Sequence, residues 1–357
     1  MPIILDLLPG PDGLADDEIG PALRTAAMVG GDAALSYLKQ FRDSSRFGAS
    51  AMLRVGWLFS SFDPVEYAQE ILAHQPPPLG VSVKDAAQLA ALPMLPPVHS
   101  LSCAGPFTAA DVLAVPHPAS RSHLHLADNP VLDDLGFVRD MSALTHLDLY
   151  GCPLIDDLSP LRGLRLQRLS LDVGDIANLD VLDTLPDLFD LFLGMPLPYR
   201  SLEAVPAGER VTELRLHARA YDCTGIEGIG RWERLTKLGL YSRLRPGDLS
   251  RLIPLTTLTH LLIARNQDLG DSALPQVADL SLVQLETAPD LDRVLALFPG
   301  LHRLSVIFLH TSPDTNVDLT PLASREDLVI YVNGAGAVHG AEKFQPDMVK
   351  ISPRPRV

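Results

Sequence analysis

The chain has 357 residues of which 46% are hydrophobic, enough for two ordinary domains or one elongated array and too many for a disordered chain. Against 29 basic residues stand 44 acidic ones, a formal charge of −15, which argues against a groove tracking nucleic-acid phosphates, so no nucleic-acid partner is expected. Cys103, Cys152 and Cys223 lack CxxC spacing and fit a reducing cytoplasm. The opening MPIILDLLPGPDGLADDE lacks a basic n-region, and no apolar run approaches the roughly 20 residues of a spanning helix, so neither secretion nor a membrane partner is expected.

Residues 1–93 are predicted to be an all-α region. DAALSYLKQF and DPVEYAQEILAH have helical patterning, the second with Asp63 as N-cap and Pro64 at the first helical position, while Gly30-Gly31 and Phe47-Gly48 mark breaks. QPPPLG at 75–80 reads as a linker, KDAAQLAAL as another helix, and PMLPPV as the lead into a first strand. The last helix, with the helical region behind it, is expected to cap the exposed N-terminal edge of a repeat array.

From about residue 98 to 333 the chain repeats Leu-x-x-Leu-x-Leu. Taking the middle leucine as marker gives Leu101, Leu124, Leu147, Leu169, Leu191, Leu214, Leu238, Leu261, Val283 and Leu304, spaced 21 to 24 residues apart, with Tyr331 as a degenerate last member. Chance clustering in a helical protein would not hold that spacing. Leu-x-Leu is a short strand with one face inward, and parallel stacking at about 4.8 Å builds a continuous sheet. In the slot five after the marker, Asn129, Cys152 and Asn266 are suited to satisfy turn backbone; the other slots have lost that character. Returns such as IDDLSPLRGL, with Pro160, Pro186, Pro254, Pro275 and Pro299 among them, suit short 3₁₀ or single-turn segments. Residues 94–333 are therefore the repeat array, and 334–357 are expected as a loose tail.

No GxxxxGK[ST] is present. Gly334, Gly336 and Gly340 have GxGxxxG spacing without room for a βαβ unit, so they read as the exit from the last strand and no nucleotide cofactor is expected. Asp133-Asp134 and Asp156-Asp157 recur after the turns, where they suit capping better than calcium. His123, His146 and His260 precede their markers and, with His125 and His217, are expected on the concave face. A metal or pH-sensing site at His123, His125 and His146 is weighed against solvated surface histidines, and the latter is preferred; no metal is assigned. No strained GxSxG-type turn supports a Ser-His-Asp triad.

The remaining candidate is the concave face itself. The positions after each marker are His125, Asp148, Ser170, Phe192, Arg215, Gly239, Leu262, Gln284 and Ser305; two further on lie Tyr150, His217, Tyr241, Glu286 and Ile307 among others. Tyr, Phe and Arg are the types that anchor interfaces, so Tyr150, Phe192, Arg215, His217, Tyr241, Leu262, Asp148 and His125 are the candidate partner-binding residues.

The repeat block, typified by LTHLDLYGCPLIDDLSPLRGL, resembles bacterial leucine-rich repeats, which implies an α/β solenoid, a horseshoe with a parallel sheet on its concave face. With the preceding helical segment ending EYAQEILAH, it resembles the C-terminal part of actinobacterial NACHT-type (STAND) NTPases, relatives of NOD-like receptors. That resemblance implies a sensor controlling a nucleotide-driven switch, although the chain has no NTPase motifs of its own. The expected function is non-catalytic recognition of a protein or peptide. The alternatives are a structural or autoinhibitory scaffold packed on an NTPase domain in the same or a neighbouring chain, and a metal-dependent enzyme using the histidines.

Overall fold

The computed structural model describes residues 5, 8–42, 58–75, 77–194, 202–206, 209–217, 226–241, 247–264, 269–308 and 315–352. They form two compact units, Met1–Asp175 with Thr184–Pro186, and Ile176–Asp183 with Asp187–Val357. Among the described residues no helix is long and apolar enough to cross a membrane.

The first unit opens with α1 (Asp16–Val29), α2 (Gly31–Arg42) and α3 (Pro64–Glu70). Gly30 and Gly31, at φ +65° and +68°, make the break between α1 and α2, a backbone path that side chains resist. Helix α2 buries Leu35, Tyr37, Leu38 and Phe41. Asp63 caps α3 as expected, its Oδ1 accepting the Glu66 N–H at 2.9 Å behind Pro64. Phe47-Gly48 lies outside the described residues.

The N-terminal region is not all-α. Strand β1 (Leu79–Val83) begins inside the expected linker and runs parallel to β2 (Val98–Ala104), with Val81 beside Leu101 and Val83 beside Cys103. The short α4 (Ala86–Ala91), capped by Asp85, carries the chain back between them. This is a strand-and-return repeat whose inward slots hold valine, so a search keyed on leucine passes over it. Helix α4 and the 3₁₀ turn Leu58–Ser61 lie against β1, one strand earlier than the leucine pattern begins.

Strands β3 (His123–Ala127), β4 (His146–Cys152) and β5 (Arg168–Val173) follow in parallel, and Leu101, Leu124, Leu147 and Leu169 stand in one register, each at most 1% exposed. The return legs are α5 (Ala109–Leu113) and the 3₁₀ turns Gly136–Asp140 and Ser159–Leu161. Asp134 and Asp157 cap those turns, accepting from Gly136 N at 2.9 Å and Ser159 N at 2.8 Å. Asn129 does what its slot requires: buried, it donates to Phe107 O at 2.7 Å and accepts from Val131 N and Leu132 N. Cys152 is buried as a free thiol beside the carbonyls of Leu126 and Tyr150, and Cys103 is a free thiol buried at the inward position of β2. Cys223 and Asn266 lie outside the described residues.

The second unit carries β6 (Asp190–Leu193), β7 (Glu213–Leu216), β8 (Lys237–Leu240), β9 (His260–Ala264), β10 (Asp279–Leu285), β11 (Arg303–Phe308) and, after β12 (Asn316–Asp318), β13 (Val329–Asn333). All except β12 run parallel as neighbours in chain order. The returns after β6, β7 and β8 contain 3₁₀ turns, that after β10 is α6 (Leu291–Leu297), and the described part of the return between β9 and β10 contains neither. Two markers need correction. VADLSLVQL contains overlapping frames, and Leu280, not Val283, stands beside Leu261 and Leu304. Val277 fills the buried slot three residues earlier, and Gln284, at φ +56°, belongs to the irregularity that ends regular pairing. The face positions in this repeat are consequently Ser281 and Val283 instead of Gln284 and Glu286. In the last copy Ile330, fully buried, replaces Tyr331.

The segment expected as a loose tail is structured as far as Ser352. Strand β14 (Ala337–His339) pairs with β12 in a separate two-stranded sheet, and β15 (Val349–Ser352) adds to β13. Gly336 N is used by Thr315 O at 2.8 Å, and Gly340, at φ +77°, packs where a Cβ would meet Thr320. The glycines serve backbone packing, as the exit from β13 requires.

One core position breaks the pattern. Three residues before the markers from Leu101 to Leu304 stand Val98, Leu144, Leu166, Leu188, Val211, Leu235, Leu258, Val277 and Leu301, all buried, but the copy before Leu124 has Arg121; in the last copy, before Ile330, the slot holds the exposed Asp327. Arg121 is 0% exposed, and its Nε, Nη1 and Nη2 meet no hydrogen-bond partner among the described residues. Burial pushes its pKa down, since a guanidinium out of water without a partner is the costly form. Arg121→Leu is expected to stabilise the chain by on the order of 1–4 kcal/mol, read as a higher urea midpoint at unchanged slope. A lower midpoint would show that the guanidinium is holding the core together.

Candidate functional site

Alternation along each strand sends the leucines inward and leaves one side-chain row beside each marker facing out. At the strand starts one carbonyl per repeat gathers the next repeat's donors. Ser122 O accepts from Thr145 N at 2.9 Å, His146 N at 3.0 Å and the Thr145 hydroxyl at 3.1 Å. The same arrangement recurs with Thr212 and Glu213 on Phe189 O, Thr236 and Lys237 on Thr212 O, and Thr259 and His260 on Thr236 O. This hydroxyl ladder was missed in the sequence, although its signal was there: Ser or Thr recurs two residues before the marker at 122, 145, 212, 236 and 259.

On the first unit's face the structure gathers the predicted histidines in pairs. His123 and His146, register partners, stack with centroids 4.0 Å apart and planes 19° from parallel. Each ring's Nδ1 lies 2.8 Å from the hydroxyl of the preceding residue, Ser122 or Thr145. His125 faces Asp148 across the strands, Nδ1 to Oδ2 3.8 Å, and its ring lies 5.5 Å from that of Tyr150. Burial, then His123 and Arg168, push the His146 pKa down to about 4 against the opposing pull of Asp148; burial lowers His123 as well. Among the described residues, no group of three or more His, Cys, Asp or Glu side chains is placed to hold a metal ion, so His123, His125 and His146 do not converge as a triad.

The second unit's face holds a different cluster. Phe192 and Arg215 are register partners, and the guanidinium lies 5.7 Å from the ring centroid. Arg215 Nη2 donates to Asp190 Oδ1 at 3.0 Å, and the Asp190 side chain is only 4% exposed. His217 lies between Phe192 and Tyr241, with centroid distances of 6.5 and 6.3 Å. Gly239 sits beside Arg215 in register, where an added Cβ would meet Tyr241 Cε2 at 3.1 Å and Arg215 Cγ at 3.2 Å. The glycine leaves the space those two side chains occupy. Leu262 is half-buried on the far side of Gly239, and Ala264 and Gly194, expected on the face, are buried. Asp190 and Gly239 are the residues sequence reasoning undervalued, since nothing local distinguishes a surface Asp from one that anchors an Arg 25 residues later.

Around this cluster polar groups pair across the strand starts, Lys237 with Glu213 at 2.7 Å and the His260 imidazole with Asp279 at 2.8 Å. Exposed pairs of this kind contribute little to stability, and they fix which charges a visiting surface meets. Compared with known proteins, the sequence matches no family model and no curated protein.

The lowered His146 pKa has a sign that can be measured. The folded chain refuses a proton that the unfolded chain accepts near pH 6.5, so the contribution is complete above that pH and is lost as pH falls toward about 4. Between pH 7 and 4.5 the native chain should lose more stability than His146→Gln, seen as converging urea midpoints; parallel midpoints would contradict it.

Proposed function

We propose that this chain is a leucine-rich-repeat horseshoe that recognises a protein or peptide on its concave, strand-lined face without catalysing a reaction, and that it serves as the sensor part of a NOD-like (STAND) signalling system in the cytoplasm. The parallel, one-strand-per-repeat architecture with 3₁₀ returns is what such a horseshoe requires. The observation that carries the recognition reading is the row Phe192–His217–Tyr241 with Arg215 clamped onto it by a buried Asp190. Aromatic rings and a guanidinium whose direction is already set lose little freedom when a partner arrives, which is the property of an interface hot spot.

The test is capture of a partner by tagged chain in native lysate with crosslinking, followed by identification and rebinding of the purified partner. Phe192→Ala and Tyr241→Ala should each weaken rebinding by roughly 10-fold or more while the melting temperature holds. Arg215→Ala combined with Asp190→Asn, which removes the guanidinium together with the buried carboxylate that orients it, should likewise lose binding. Gly239→Ala removes no anchor yet should weaken binding, since its Cβ must displace Arg215 or Tyr241. Rebinding indifferent to all four changes would reject this face. Should the captured partner be an NTPase domain that docks through the same residues, the face serves as a scaffold contact.

A further inference from the structure

After each strand the chain turns a corner into its return leg, and at two adjacent repeats of the first unit that corner carries apolar residues in the open. Asn129-Pro130-Val131-Leu132 and Cys152-Pro153-Leu154-Ile155 occupy the same slots. Asn129, Cys152, Leu132 and Ile155 are buried, which leaves the residues between them outside. Val131 is 42% and Leu154 51% exposed, with Pro130 and Pro153 exposed beside them. Asn129 N donates to Gly151 O at 3.0 Å, which sets the two corners side by side. The buried Asn129 Oδ1 accepts from Val131 N at 3.1 Å, so the backbone presenting the patch is already fixed. In the next repeat the slot holds Ile176, which is buried, so the fold can hide an apolar residue here and in two copies does not.

Single exposed apolar residues are ordinary, but two at one slot of neighbouring repeats make a continuous ridge. Carboxylates rim it. Asp133 and Asp156, two residues further along each corner, are exposed, and Asp128, at φ +48°, lies where a Cβ on Gly151 would meet its Oδ1 at 3.2 Å. Asp134 and Asp157 are engaged by the turns they cap, and hydrogen bonds from Ser159, then Arg139, hold Asp157 below the usual carboxylate range. A second copy meeting this ridge with its own would bring the same carboxylates, and a nucleic acid or anionic membrane would be repelled by them and by the overall charge of −15. Lysine or arginine flanking an apolar side chain matches both the rim and the ridge.

We propose that the ridge of Pro130, Val131, Pro153 and Leu154 docks a basic segment of a protein partner, one in which apolar residues stand between lysines or arginines. The ridge is small, so the contact is weak and salt-sensitive. It is independent of the recognition reading, whose anchors Phe192 and Tyr241 belong to the other unit.

The experiment is fluorescence anisotropy of the full chain with the labelled peptide Lys-Arg-Leu-Leu-Arg-Lys, with Lys-Arg-Ser-Ser-Arg-Lys in parallel. Saturable binding is expected for the leucine peptide and not for the serine peptide. It should weaken as ionic strength rises from about 0.01 to about 0.1 M, over which the screening length falls from about 30 to about 10 Å. Leu154→Ser should weaken it about 10-fold, with Val131→Ser acting in the same direction. Asp133→Asn combined with Asp156→Asn should weaken it at low salt and flatten the salt dependence. Phe192→Ala and Tyr241→Ala should leave it unchanged, which separates this surface from the second unit's face. Four results would overturn the proposal: no saturable binding of the leucine peptide, equal binding of the serine peptide, binding indifferent to Leu154→Ser at unchanged melting temperature, or self-association in sedimentation that Leu154→Ser abolishes.

Discussion

One carbonyl per repeat holds the stack in register. At each strand start it takes two backbone N–H groups from the next repeat and, where Ser or Thr stands there, a hydroxyl as well. A buried or half-buried carbonyl satisfied three times cannot be shifted by a residue without orphaning donors, and a one-residue slip would turn the leucines to solvent. The same node therefore sets which side chains lie side by side on the outward face, because register partners inherit their neighbourhood from it. His123 beside His146 and Phe192 beside Arg215 are consequences of that bond geometry more than of any local preference of the residues themselves.

Most of the backbone was legible because the leucine period reports burial directly. The markers from Leu101 to Leu261, with Leu304, stand in the places the spacing gives them. The failures cluster where burial uses other residues or more than one frame. Strand β1 hides its repeat behind Val81 and Val83. In β10 two Leu/Val frames overlap, and only the hydrogen-bonded neighbours choose Leu280. Strand β15 carries VKIS, an alternation only four residues long whose apolar Ile351 stays exposed, so neither length nor burial sets it apart in a tail.

The outward face was legible as a set of residues but not as clusters. Alternation assigns Tyr150, Phe192, Arg215, His217 and Tyr241 to one side of the sheet, and that assignment needs only the period of a strand. What gives one of them its fixed orientation lies 24 to 25 residues away: Asp190 under Arg215 and the gap at Gly239. These are pairwise, cross-repeat facts.

Arg121 gives the first unit an uneven energy profile along its length. In a stack where each repeat touches only its neighbours, stability is close to a sum over successive junctions, and the weakest junction decides where the chain parts first. A fully buried guanidinium without a hydrogen-bond partner among the described residues, just before β3, subtracts from the junction it occupies, where every neighbouring copy from Val98 to Leu301 adds an aliphatic side chain.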